Sequence, residues 1–119
     1  MCKFYVTSHA VEQFQERVVL LAPKEVRCEI LSQLLPWESR LQGFVRWNGR
    51  LGPVFWGKHE DKEYLIPVQM DAEKKGRGLV VPTVLCGDAM KVMHWERNRA
   101  KGKKVWLASL KEAGYDWTN

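Results

Sequence analysis

The chain has 119 residues, of which 45% are hydrophobic and 28% charged, a length and balance ordinary for one compact globular domain, for which disorder is not the default. Nineteen Lys plus Arg against fourteen Asp plus Glu leave a formal charge of +5, an excess compatible with a polyanionic partner. Three cysteines, Cys2, Cys28 and Cys86, are odd in number and lack CxxC spacing, which points to free thiols in a reducing compartment and not to a disulfide framework. With no charged-then-apolar leader and no apolar run near the roughly 18 residues of a membrane span, the sequence reads as cytoplasmic, with no membrane partner.

Phe4, Tyr5 and Val6 favour a short strand. Val11, Phe14, Val18 and Leu21 then recur at intervals of three and four residues, which predicts a helix with one apolar stripe facing the core. Thr7 or Ser8 is its expected N-cap. On another side His9, Glu12, Gln13, Glu16 and Arg17 share a surface strip, so an imidazole, two carboxylates and a guanidinium lie on one face. His9 in the first turn would sit beside the positive end of the helix dipole, which favours the uncharged imidazole a general base needs. The same residues also fit an ordinary solvated helix face.

Pro23 suits the start of a second helix buried through Val26, Ile30, Leu31 and Leu34, and Pro36 stops it. Residues 35–42, with Trp37, Glu38 and Arg40, lack a sustained period and read as loop. Residues 44–47 and 54–56 flank an Asn48-Gly49 pair, a hairpin signal. Residues 58–62 form a charged turn in which His59 reads as solvated. Residues 64–70 alternate as a strand, and 79–85 return beside them after a turn over 71–78. Pro67 and Pro82 are symmetric about that turn, so they are expected opposite each other at an edge or a local bulge.

Gly87 breaks the strand and Asp88 can cap a helix over 89–99. Arg97, Arg99, Lys101, Lys103 and Lys104 cluster around Gly102, and Val105, Trp106, Leu107 and Leu110 suggest a short final helix ended near Gly114. The fold class is therefore α+β: two N-terminal helices packed on an antiparallel sheet of about four strands, followed by a basic C-terminal helical segment. The core of this single domain, residues 1–119, is expected over about 3–95, with a basic extension over 96–119.

Motifs for metal or nucleotide chemistry are weak. His9-Ala10-Val11-Glu12 and His94-Trp95-Glu96 lack a second spaced ligand pair, and Gly76-Arg77-Gly78 lacks the Lys-Ser or Lys-Thr ending of a phosphate loop. No metal site and no cofactor is predicted, and the cysteines read as packing groups. Six tryptophans, Trp37, Trp47, Trp56, Trp95, Trp106 and Trp117, exceed what one small core accommodates. An exposed Trp among Arg and Lys suits either base stacking or a protein contact.

The opening residues from Tyr5 through Thr7-Ser8-His9-Ala10-Val11-Glu12-Gln13-Phe14-Gln15-Glu16-Arg17-Val18, followed by a second helix, resemble the start of small RelE-like and RegB-like endoribonucleases of bacteria and phages. Val80-Val81-Pro82-Thr83-Val84-Leu85 is similar to the strand that ends their sheet. The resemblance covers about residues 3–95 and implies two helices on an antiparallel sheet whose concave face holds RNA. In metal-independent RNA cleavage a base deprotonates the ribose 2′-hydroxyl, cations stabilise the crowded phosphate, and an acid protonates the leaving oxygen. On that pattern His9 is the candidate base or acid, Arg17 a phosphate clamp, Glu16 a group orienting either, and Thr83 a hydroxyl near the substrate. Arg46, Lys58 and the cluster Arg97, Arg99, Lys101, Lys103 and Lys104 would bind the nucleic acid. RNA or another polyanion is the expected partner, with an antitoxin or host protein as a further one. The alternative is a catalytically inactive, phage-like protein that binds and inhibits a host enzyme.

Overall fold

The structure is a computed structural model, and it describes residues 4–47, 49–70, 78–87, 91 and 93–114. It is α+β. Strand β1 (Phe4–Val6) leads to helices α1 (Ser8–Arg17), α2 (Pro23–Leu34) and the single turn α3 (Trp37–Arg40). Strands β2 (Leu41–Trp47), β3 (Arg50–His59), β4 (Lys62–Pro67), β5 (Gln69–Met70) and β6 (Leu79–Val81) follow, then helix α4 (Arg99–Ala113).

The start of α1 follows from its cap. The Thr7 hydroxyl accepts from the Ala10 amide at 3.1 Å and lies within hydrogen-bonding distance of the Val81 and Pro82 carbonyls. The Thr7 amide also donates to Val81 O at 3.2 Å. One threonine thus satisfies an open helix amide and fastens α1 to the end of β6. In α2, Pro23 takes the first turn, where its missing amide costs nothing. Residues 35–42, expected as loop, instead contain α3 and the start of β2.

The sheet differs from the expected four antiparallel strands. Strands β2, β3 and β4 form one antiparallel sheet, and β1, β6 and β5 form another in which β1 joins β6 in parallel, Phe4 opposite Leu79 and Val6 opposite Val81. Between β1 and β6 the chain passes through α1, α2, α3 and strands β2 to β5, far more than the roughly dozen residues a parallel connection needs. The Val68 amide donates to Pro53 O at 3.0 Å where β4 passes into β5, so the two sheets share a continuous bent seam. Trp95 bridges Val45 outside β2, and Leu85 bridges Leu65 outside β4.

The predicted long hairpin is present only in part: Gln69 faces Val80, Met70 faces Leu79 and Leu65 bridges Leu85, while residues 62–67 pair with β3 in the other sheet. From the Gln69–Val80 pair to the Leu65–Leu85 bridge the first strand spans four residues and the second five. This extra residue marks a bulge in the stretch holding Pro67 and Pro82, where neither ring can donate to a ladder. The hairpin signalled by Asn48-Gly49 is also formed, with Trp47 opposite Arg50 and Gly49 at a φ of 77°. The expected turn over 71–77 and the capping Asp88 lie outside the described residues.

The helices cover one face of the β2–β3–β4 sheet. Phe14 stands edge-on to Tyr64, with ring centroids 5.3 Å apart, and Val26, Ile30, Leu34, Phe44, Phe55 and Ile66 complete the centre of the main core. Helix α4 belongs to this core and is not an extension: Trp106 is 2% exposed and Leu110 1%. A Cβ at Gly102 would lie 3.0 Å from the Phe44 ring, so the absent side chain lets α4 cross close over β2. The helix also starts earlier than expected, at Arg99 behind an Asn98 cap, and residues 93–98, expected as helix, run irregularly along β2. On the opposite face a smaller cluster gathers Val45, Val54 and Leu65 with Trp56, Leu85, Met93 and Trp95.

Candidate functional site

Helix α1 presents most of the strip read from the sequence. His9, Glu12, Glu16 and Arg17 are all exposed, but Gln13 is half-buried with its Oε1 sunk in the interior, and Ala10, Val11 and Phe14 are buried on the other side. His9 and Arg17 are eight residues apart, about 12 Å along the axis at 1.5 Å per residue. Their side chains therefore leave the helix about two turns apart.

Arg17 is anchored. Its Nη1 donates to Val84 O at 2.8 Å, and the Cys86 thiol lies 3.9 Å from the Arg17 carbonyl. With Thr7 fastened to Val81 and Pro82 at the other end, residues 81–86 run beside α1 in the same direction. Thr83 lies on that stretch and is 7% exposed, so its hydroxyl is not part of the open surface of the strip.

Cys86 links the strip to a cavity of about 490 Å³ lined by Gln42, Trp56, Glu63, Tyr64, Leu65, Cys86 and Gly87. Alternation along β3 and β4 places Trp56, Lys58, Glu63 and Leu65 on one side of the sheet, since Trp56 faces Leu65 and Lys58 faces Glu63. The Arg40 guanidinium stacks over the Trp56 ring, 4.5 Å from its centroid, a cation–π contact worth about 0.5–2 kcal/mol. Its Nη1 is buried with no hydrogen-bond partner.

The remaining cations fall into two places. Arg99, Lys101, Lys103 and Lys104 occupy the first turns of α4, all exposed, with Arg97 exposed just before. Arg99 Nη2 donates to Leu41 O at 2.7 Å, and Lys103 Nζ lies 5.7 Å from the centre of the Trp37 ring. The first turn of α4 holds no acidic residue. Cations at a helix N-terminus oppose the dipole by about 0.3–1 kcal/mol each, so the positive charge is concentrated there at some expense to the helix. Arg46 stands apart, 3.9 Å from Glu96 Oε2 with its side chain 57% exposed. Lys58 is exposed on β3.

Sequence reasoning missed a second polar cluster. His59 is not a solvated turn residue: its Nδ1 is 3.4 Å from Glu29 Oε1, and its ring stands edge-on to Phe14 at 6.4 Å. Gln33 Nε2 donates to the same Glu29 oxygen at 3.3 Å and to Lys58 O at 3.2 Å. The Tyr64 hydroxyl is buried without a hydrogen-bond partner, and its phenol is pushed well above the ordinary tyrosine range, first by burial and then by the Glu29 carboxylate. Alternation from Phe55 through Gly57 to His59 carried this signal, because it turns His59 toward the helices. Cys28, read as a packing group, is exposed, and Cys86 is half-buried. Cys2 and Trp117 lie outside the described residues. Of the other tryptophans, Trp106 fills the core, while Trp37, Trp56 and Trp95 are half-buried.

Among the described residues, no group of three His, Cys, Asp or Glu side chains is placed to hold a metal ion, and no helix is long and apolar enough to cross a membrane. Compared with protein-family models, with characterised proteins and with solved structures, the chain finds no match.

Proposed function

We propose that this protein binds single-stranded RNA and cleaves it without a metal ion, with His9 as base or acid and Arg17 holding a phosphate. The observation that carries the RNA-binding part is the exposed row of Arg97, Arg99, Lys101, Lys103 and Lys104 at the N-terminal end of α4. Such a cluster adds side-chain charge to the positive end of the helix dipole, with the Trp37 ring 5.7 Å from Lys103 Nζ. Arg46 and Lys58 extend the positive surface on the sheet. The cleavage part rests on the α1 strip. His9 is exposed in its first turn, Glu16 is about two helical turns further on, and Thr83 is buried on the segment that runs beside α1. A base acting on a 2′-hydroxyl needs such an accessible imidazole within reach of a bound backbone.

The test is binding of a mixed-sequence single-stranded RNA as a function of salt. Each phosphate neutralised on a single strand contributes about −0.7 to the slope of log K against log salt. Replacing the five cations of the α4 row by Gln should flatten that slope by about 2–3, with the fold intact by circular dichroism. An unchanged slope counts against the reading.

A further inference from the structure

We infer that the cavity beside Trp56 receives one unpaired nucleobase, held next to the Arg17 end of the α1 strip. This inference rests on the RNA reading, and three observations carry it. The cavity measures about 490 Å³, within the roughly 300–1,000 Å³ of small-molecule sites. Its walls divide as a base requires: Trp56 offers an aromatic and Leu65 an aliphatic surface, while Gln42 and Glu63 offer hydrogen-bonding groups for a polar edge. Its position also fits a nucleotide, because the Arg17 guanidinium donates to Val84 O at 2.8 Å, two residues before Cys86 in the cavity wall. A phosphate held by that guanidinium would leave its base close to the cavity mouth.

The ring is ordered in advance. Arg40 stacks on Trp56 at 4.5 Å and Trp56 packs against the Val45, Val54 and Leu65 cluster, so little side-chain freedom is left to lose on binding. Glu63 accepts hydrogen bonds only, so the base must turn an N–H toward it, whereas Gln42 can donate or accept. Glu63 also faces Lys58 across the β3–β4 pair, which tempers repulsion between its carboxylate and an RNA backbone.

The direct probe is the wild-type protein titrated with the four free ribonucleosides and followed by NMR through the Trp56 indole and the Leu65, Cys86 and Gly87 amides. Shifts confined to these groups are the expected result. They would support the cavity even if RNA failed to bind, in which case the RNA reading alone falls. No shift at millimolar nucleoside, with salt-dependent RNA binding intact, overturns the inference and leaves the RNA reading standing. No shift and no RNA binding overturns both. Where RNA binds, Trp56→Leu should weaken it roughly 5- to 100-fold, the usual effect of losing one stacked base. Glu63→Ala, at an exposed position, should weaken nucleoside binding with no change in thermal stability. Unaltered nucleoside affinity in both variants would place any binding elsewhere and overturn the assignment.

Discussion

Gly57→Ala tests the packing that sets the interior. A Cβ there would lie 2.6 Å from Tyr64 Cζ, 2.7 Å from Cε2 and 2.9 Å from the hydroxyl. These are atoms of a ring only 2% exposed and backed by Phe14 at 5.3 Å, so the ring has no open side to move into. Overpacking a close-packed core costs about 1–3 kcal/mol. Alanine recovers about 0.5–1 kcal/mol of the entropy that glycine loses in a strand, leaving a net loss of about 1–2 kcal/mol. For a domain of this size that lowers Tm by about 4–8 °C. Urea unfolding of four proteins measures the coupling: wild type, Gly57→Ala, Tyr64→Leu and the double variant. With the ring gone, Gly57→Ala should be neutral or stabilising, giving a coupling of at least about 1 kcal/mol. Equal destabilisation by Gly57→Ala in both backgrounds would refute the argument.

Tyr64→Phe removes a buried hydroxyl with no hydrogen-bond partner, so it should leave stability unchanged or raise it by up to about 1 kcal/mol in denaturant unfolding at neutral pH. The alkaline limb separates the two proteins. The folded phenol is raised above the ordinary value of 10.0, so its contribution is complete below that pH and is lost as the unfolded phenol ionises above it. Wild type should therefore lose stability above pH 10 more steeply than Tyr64→Phe, and parallel curves would contradict the burial argument. Trp106→Ala should cost about 3–5 kcal/mol in urea unfolding, the usual loss for a buried aromatic. A loss under about 1 kcal/mol would return α4 to the status of an appendage.

Much of the fold was legible because periodicity and local chemistry agreed. The α1 stripe of Val11 and Phe14, the Thr7 cap, the Asn48-Gly49 hairpin and the pairing of 69–70 with 79–80 all follow from short-range patterns. The parallel joining of β1 to β6 was not legible, because three residues carry no period that distinguishes a parallel from an antiparallel neighbour. Helix α4 was misread for a different reason: the charges of Arg99, Lys101, Lys103 and Lys104 obscured the spacing of Gly102, Trp106 and Leu110, which are its buried face. At the site, His9, Glu16 and Arg17 were visible as one helix strip. The Arg17 bond to Val84, the Arg40–Trp56 stack and the cavity depend on tertiary contacts between residues 16 to 67 positions apart or on sheet geometry. Local spacing carries no such information.

The most direct measurement is cleavage of mixed-sequence RNA by purified protein in EDTA, scored for 2′,3′-cyclic phosphate ends and repeated with His9→Ala. The account predicts cleavage by the wild type and a loss of about 10²–10⁴-fold in His9→Ala, with most RNA binding retained because affinity is spread over many cations. Equal cleavage by both proteins, or none by the wild type, would contradict it.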